Sequence, residues 1–260
     1  MKAMVLAAGL GTRLRPLTDT RPKALVEIAG RTLLEITLTR LRTFGITEVI
    51  INVHHFADQV IDYLKSHKNF GMRIEISREE VLLDTGGGLK KAAWFFLEDP
   101  ARLDESFLLH NVDVLSTIDF ARMLQYHKEH RPLATLAVQS RETSRPLLFD
   151  NHLQLRGRRI ADKDTLIPIP PDAVISSEAR NLSSIPLQSL AFSGIHLISP
   201  RLLPLLTEEG IFSIIPAYLR LAGQGENILA FRADDCYWRD LGRSTDLAQA
   251  AQDLQQKALL

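Results

Sequence analysis

One cysteine, Cys236, is the whole thiol content of this 260-residue chain. It excludes an internal disulfide framework and fits a reducing compartment, and the residue itself reads as a small apolar side chain in a strand. Charge of one sign is lacking too: 31 Lys plus Arg stand against 31 Asp plus Glu, a formal net charge of +0. No broad basic face for duplex nucleic acid is implied, so any functional cations must act locally. No apolar run reaches the length of a bilayer span, and no basic segment leads into a long apolar stretch at the start. A cytoplasmic protein without a membrane partner is therefore predicted. Zinc-type Cys/His spacing, a G-x-S-x-G nucleophile motif, internal repeats and heptads are also missing, which removes the usual support for zinc, serine-hydrolase and solenoid readings.

What is present suits an α/β protein. Hydrophobic residues make up 45% and charged residues 24%, enough for one substantial core or one core with a small subdomain. Residues 2–7 read as a buried strand, and residues 32–44 place Leu33, Leu34, Ile36, Leu38, Leu41 and Phe44 on one helical face before Gly45. Strands near 49–53, 73–77 and 106–110 alternate with helices near 56–66, 87–97 and 117–130. This predicts a three-layer, Rossmann-like, mostly parallel (mixed) sheet with ligands beyond the carboxyl ends of its strands. Between about 141 and 190 arginines, prolines and short extended runs replace the alternation. Residues 172–188 read as an insertion, and Ile167 to Pro171 cannot be helical. A strand at 190–192, a helix near 212–222, strands near 228–231 and 236–239 and a helix from about 244 complete a single domain, 1–260.

The first strand runs into Ala7-Ala8-Gly9-Leu10-Gly11-Thr12-Arg13-Leu14-Arg15-Pro16-Leu17-Thr18, with Pro22-Lys23 close behind. Backbone amides from Ala7 to Thr12 can wrap a phosphate chain while Arg13 and Lys23 offset its charge. The loop is neither a Walker frame, which needs Lys-Ser or Lys-Thr, nor a dinucleotide turn, which needs glycine where Leu14 stands. Asp84-Thr85-Gly86-Gly87-Gly88 is a second glycine cluster between a strand and a helix, where bare backbone can donate amides to a ligand. Asp113 and Asp240, each at a strand end, are the candidate Mg²⁺ ligands, since magnesium takes one or two carboxylates when phosphates fill the rest of its shell. His54-His55 is read as structural, because adjacent strand-end side chains face opposite ways.

Taken together, the loop string with Arg13, Arg15 to Thr18 and Pro22-Lys23 resembles the N-terminal motif of the sugar-1-phosphate nucleotidylyltransferases, or NDP-sugar pyrophosphorylases. The resemblance extends over residues 1–140 and 190–248 and implies the nucleotide-diphospho-sugar transferase fold. It also implies a reaction between an NTP and a sugar 1-phosphate that gives an NDP-sugar and pyrophosphate, with Mg²⁺ as cofactor and a monomer or homodimer as the assembly. On this resemblance Arg13 and Lys23 are catalytic; Ala7, Ala8, Gly9, Gly11, Thr12, Glu79, Gly86 and Gly87 bind nucleotide; Lys23, Asn111, Ser193 and Gly194 bind the sugar phosphate; and Asp113 and Asp240 bind metal. N-acetylmuramate 1-phosphate uridylyltransferases and mannose-1-phosphate guanylyltransferase-like members are the most similar, and the larger relatives' C-terminal β-helix has no room here. The chain departs from the pattern twice: Val112 stands where the family carries glycine before its aspartate, and a Glu-Lys-Pro sugar-binding segment is missing. Those departures leave open a nucleotide-sugar sensor or regulatory subunit that binds without turnover, and a phosphocholine cytidylyltransferase, which shares the first motif, is a further reading.

Overall fold

A computed structural model describes residues 1–160, 163–167 and 186–257. In chain order its elements are β1 (Lys2–Leu6), a hairpin of β2 (Glu27–Ile28) and β3 (Arg31–Thr32), α1 (Leu33–Thr43), β4 (Glu48–Val53), α2 (Ala57–Ser66), β5 (Arg73–Arg78), α3 (Asp84–Lys91), α4 (Ala93–Leu97), β6 (Phe107–Asn111), β7 (Val114–Ser116) and α5 (Phe120–His130). There follow β8 (Ala134–Gln139), β9 (Leu147–Phe149), β10 (Leu155–Ile160), β11 (Lys163–Leu166), β12 (Gln188–Ile198), α6 (Ile214–Gly223), β13 (Ile228–Arg232), β14 (Trp238–Asp240) and α7 (Ser244–Lys257).

The central strands are apolar throughout because both of their faces are covered. In β1, Ala3 and Val5 join the core beneath α1, α2 and α5, while Met4 joins a second core on the other side with Phe95 and Phe96 of α4 and Tyr218 of α6. The same alternation runs through β4, where Val49 and Ile51 face one way and Ile50 the other. With each fully buried Leu, Ile or Val contributing roughly 1.5–3 kcal/mol, these two layers dominate the stability. The helix ends are set locally. Thr32 Oγ1 accepts from Glu35 N at 3.0 Å to cap α1, and Asp119 Oδ1 accepts from Ala121 N and Arg122 N to cap α5.

Strands β5, β4, β1 and β6 lie side by side and parallel, so their carboxyl ends open onto one rim. Beyond β6 the sheet changes character. The eleven-residue β12 runs antiparallel to β6 and, on its other edge, to β8 and β9; β13 then pairs parallel with β8. The result is the mixed three-layer sheet predicted. The strand expected at 190–192 is thus the middle of a much longer one, kinked where its register with β8 shifts between Phe192 and His196. Gly194 sits in that shift at φ +72°, and a Cβ there would lie 2.9 Å from Asn111 Nδ2. The helix expected at 87–97 starts earlier, at Asp84, and is broken at Ala92 into α3 and α4. Within 141–190, β9, β10 and β11 form an antiparallel extension of the main sheet; most of the stretch read as an insertion, and Pro168 to Pro171, lie outside the described residues.

β12, β6 and α5 each carry a buried histidine into the interior. His196 and Tyr218 share a 2.9 Å hydrogen bond, His110 Nδ1 donates to Asn111 O at 2.8 Å, and His127 Nδ1 meets Thr135 Oγ1 at 2.8 Å. Burial pushes all three imidazoles down, to about 3 for His196 and about 4 for His110 and His127. A histidine neutral in the fold but free to protonate when unfolded contributes stability in full above pH ~6.5, and that contribution is lost as pH falls toward the folded value. Unfolding near pH 5 is expected to take up about three protons from these groups, measured as the slope of denaturation free energy against pH. His196→Gln is expected to remove about one of them, and a stability flat from pH 7 to 5 would contradict the assignment.

Candidate active site

A cleft of about 440 Å³ opens at the rim and is lined by the ends of the parallel strands: Leu6 to Gly9 after β1, Asn52 in β4, Glu79 after β5, and Asn111 to Asp113 after β6. Asp84 and Thr85 at the start of α3, Ile211 and Lys23 close its sides. The position agrees with the rule that ligands of such sheets bind beyond the strands' carboxyl ends.

The two glycines of the first loop do different work. Gly9 has nothing within 4 Å of a hypothetical Cβ, so its backbone faces the open cleft. Gly11 adopts φ +65°, and a Cβ there would come within 2.8 Å of Thr18 Cγ2 and 3.1 Å of Lys23 Cβ. Its carbonyl accepts from Thr18 Oγ1 at 2.8 Å, which folds the loop back on itself and brings Lys23 to the cleft. Lys23 Nζ forms an ion pair with Asp113 Oδ2. Leu14, in place of the dinucleotide glycine, is fully buried in the core, while Arg15 pairs at 3.3 Å with Asp19 on the solvated surface.

The candidate metal aspartates meet through backbone pairing of distant segments. Asp240 lies opposite Val114 in the β7/β14 ladder, and Leu241 N donates to Asp113 O at 2.8 Å. Asp240 Oδ1 accepts from Gly242 N at 2.6 Å. The position a Gly242 Cβ would occupy lies 2.5 Å from an Arg13 guanidinium nitrogen and 2.6 Å from Asp240 Oδ1. Glycine at 242 thus leaves room for both the Arg13 guanidinium and the Asp240 carboxylate. Val112, suspect as a replacement for glycine, is not among the residues with positive φ; its N–H continues the ladder to Leu6 O at 3.1 Å. Two carboxylates with cations beside them are a donor set that suits Mg²⁺ sharing a phosphate chain, and no group of three or more His, Cys, Asp or Glu that could hold a metal occurs among the described residues.

Four expectations need correction. The Ala7 N–H, expected to face phosphate, donates instead to Asn52 Oδ1 at 2.7 Å. Gly86 and Gly87 do not offer their amides to a ligand: both donate to Phe212 O, at 2.9 and 3.1 Å. A Cβ would strike the Phe212 ring at 2.3 Å from Gly86 and Gly210 O at 2.6 Å from Gly87, so these glycines let α3 pack against the 210–212 loop. Glu79 is 2% exposed and engaged on both oxygens, Oε1 by Asn52 Nδ2 at 2.8 Å and Oε2 by Leu83 N at 2.9 Å. It lines the cleft but serves first as a brace. Ser193 is fully buried, and its hydroxyl has no partner among the described residues, so it does not face a substrate; its carbonyl takes the Trp238 indole N–H at 2.8 Å. Asn111 and Gly194 do come together, as the register shift requires.

Sequence reasoning did not single out Asn52 or Arg141, and took Asp84 and Thr85 only as part of the second glycine cluster. Asn52 was detectable, being the one amide inside the apolar run Val49 to Val53. Its Oδ1 accepts from Ala7 N at 2.7 Å, which joins the first loop to Glu79. Asp84 takes φ +60° and accepts from Thr85 N, and Thr85 Oγ1 accepts from Ile214 N. Arg141 stacks 3.5 Å over the Trp238 ring and donates to Phe192 O at 2.7 Å. Burial lowers its pKa and the charge of nearby Asp240 opposes that shift. His54, as expected of a structural residue, bonds Glu79 O at 2.9 Å.

Comparison with known proteins places this geometry. Residues 2–147 match the nucleotidyl transferase family. The chain belongs to that family. It is 33% identical over 229 residues to the N-acetylmuramate alpha-1-phosphate uridylyltransferase of Caulobacter vibrioides, covering 86% of this chain and 85% of the relative. A Neisseria meningitidis protein of the same name is 31% identical and 96% of each chain is covered. Among solved structures, UDP-glucose pyrophosphorylase from Acinetobacter baumanii superimposes with a TM-score of 0.74 over 99% of this chain and 95% of its own, at 17% identity. That likeness establishes the nucleotide-diphospho-sugar transferase fold.

Asn52 is thus the brace on which the first glycine loop rests. Asn52→Ala leaves the Ala7 amide and a Glu79 oxygen buried without partners and is expected to cost roughly 2–4 kcal/mol, read by denaturant unfolding, and to weaken nucleotide binding in calorimetry. A variant as stable as the wild type would show that the relay does not hold the loop.

Proposed function

We propose that the chain transfers a nucleoside monophosphate from an NTP to a sugar 1-phosphate, releasing pyrophosphate, with UTP and N-acetylmuramate 1-phosphate as the preferred pair. The observation that carries the reading is the Lys23–Asp113 ion pair in the cleft lined by the open backbone of Gly9, with Arg13 and Asp240 both close to Gly242. The choice of pair is supported by the two curated relatives that span 85% or more of their own length. The supply of NTP points to the cytoplasm as the compartment; no described helix is long and apolar enough to cross a membrane.

In this mechanism a sugar-phosphate oxygen attacks the α-phosphorus in line, forming a new P–O bond as the bond to the β-phosphate breaks and its electrons leave with pyrophosphate. No covalent enzyme intermediate is required, so the protein contributes position and charge. Backbone N–H groups from Ala8 to Thr12 hold the triphosphate, Lys23 orients the attacking phosphate, and Arg13 stabilises charge that accumulates on the leaving pyrophosphate. Asp113 and Asp240 would hold Mg²⁺, which when bound neutralises phosphate charge across the reacting groups. The sensor reading loses one of its two supports, since the backbone at Val112 is not left-handed and tolerates valine.

Arg13→Ala and Asp240→Asn are each expected to lower kcat by roughly 100- to 1,000-fold or more while circular dichroism stays native, measured as pyrophosphate release. Near-normal turnover in either folded variant would remove these assignments. Release from CTP and phosphocholine, but not from sugar phosphates, would favour the cytidylyltransferase.

A further inference from the structure

Beside the cleft, across the 211–215 segment, lies a second cavity of about 280 Å³. Ile211 lines the cleft, whereas Ser213 and Ile215 line this cavity, together with Phe192, Arg145 and Arg158. Phe192 is continuous with Ser193 and Gly194, and Gly194 abuts Asn111 at the end of β6. The cavity therefore flanks the side of the cleft where the sugar is expected.

Its electrostatics are one-sided. Along β10, Arg156 is paired with Asp150 at 2.8 Å and Arg159 with Asp164 at 2.6 Å. Arg158, between them, has no carboxylate partner among the described residues, and its Nε is buried with no hydrogen bond. Arg145 likewise has no ion pair among the described residues, and none of the residues lining the cavity is acidic. A buried guanidinium N–H without an acceptor is costly; Arg40 and Arg141 also carry one, but of the three only Arg158 lines this cavity. Neutral sugars are held through hydroxyls that donate to carboxylates, and the Glu-Lys-Pro glutamate that would do so is missing from the chain. Here Arg145 and Arg158 stand ready as donors, beside the Thr143 and Ser213 hydroxyls and with no carboxylate in the lining. A planar guanidinium fork pairs best with a planar oxyanion.

We infer that this cavity is a subsite for a carboxylate carried by the sugar, read by Arg158 with Arg145 beside it, and that the protein selects acidic over neutral sugar 1-phosphates. The inference rests on the sugar-phosphate reading above and adds the residues that choose the substrate. A site built around unpaired donors rejects an analogue lacking the acceptor, because the donors then stay unsatisfied.

The test compares N-acetylmuramate 1-phosphate with N-acetylglucosamine 1-phosphate, a pair that differs by the carboxyl-bearing ether, and glucuronate 1-phosphate with glucose 1-phosphate, using UTP, Mg²⁺ and the full chain. The wild type is expected to favour an acidic member by at least about 100-fold in kcat/KM. Arg158→Gln is expected to cut that preference roughly 10- to 100-fold through KM for the acid, with Arg145→Gln acting in the same direction. Equal or better use of the neutral sugars by the wild type overturns the subsite and leaves the transferase reading standing, as does an Arg158→Gln variant whose losses are equal for acid and neutral sugars. A preference for glucose 1,6-bisphosphate over both acids would overturn the carboxylate in favour of a second phosphate. Absence of pyrophosphate release with every sugar, alongside retained nucleotide binding, would overturn the transferase reading itself and the subsite with it.

Discussion

The site depends on what happens to the Ala7 amide. Where β1 ends and the glycine loop departs, that N–H leaves the ladder inside a nearly dry interior and must find an acceptor or cost about 1–3 kcal/mol. Asn52 supplies it, and by turning its carbonyl to Ala7 it directs its own NH₂ to Glu79, whose second oxygen takes Leu83 N. One relay thus ties the ends of β1, β4 and β5 to the entrance of α3. Gly88 follows from the same demand, since a Cβ there would lie 2.8 Å from both Asn52 Nδ2 and Glu79 Oε1. The glycine cluster is therefore a packing consequence of the relay as much as a feature of the cleft.

Charge in the cleft is arranged with the same economy. Lys23 is 8% exposed and would be poorly tolerated there without Asp113. Arg13 is exposed and shares the space around Gly242 with Asp240. Removing Asp113 alone would leave the Lys23 ammonium uncompensated in a partly desolvated site.

The parts legible in the sequence were those written in contiguous residues. The apolar run of β1, the helical face of α1 with its Thr32 cap, and the loop from Gly9 to Lys23 each depend on neighbours a few positions away. Of the β7/β14 ladder that brings Asp113 toward Asp240, a strand near 236–239 was expected, but the three-residue β7 and its pairing with β14 from a distant part of the chain carry no periodic signal. β8 and the full length of β12 were missed for another reason: Gly194 interrupts the alternation at the register shift, and an antiparallel strand buried on both faces reads like any apolar run. Gly86 to Gly88 misled because bare backbone at a helix start looks alike whether a ligand or a Phe212 ring presses on it.

The two halves of the site also differ in how freely they can change. The nucleotide side is set by parallel strands whose ends share one buried relay, so a substitution at Asn52 or Glu79 disturbs several segments at once. The other side is built on β9 and β10 of the antiparallel extension, where Arg156 and Arg159 are already stabilised by their own aspartates. Arg158, which has no such partner among the described residues, lines the adjoining cavity on that extension, apart from the first glycine loop and the two candidate metal aspartates. A scaffold divided in this way can hold its transfer chemistry fixed while its sugar preference shifts, and the Glu-Lys-Pro segment missing from this chain is the kind of change that division permits.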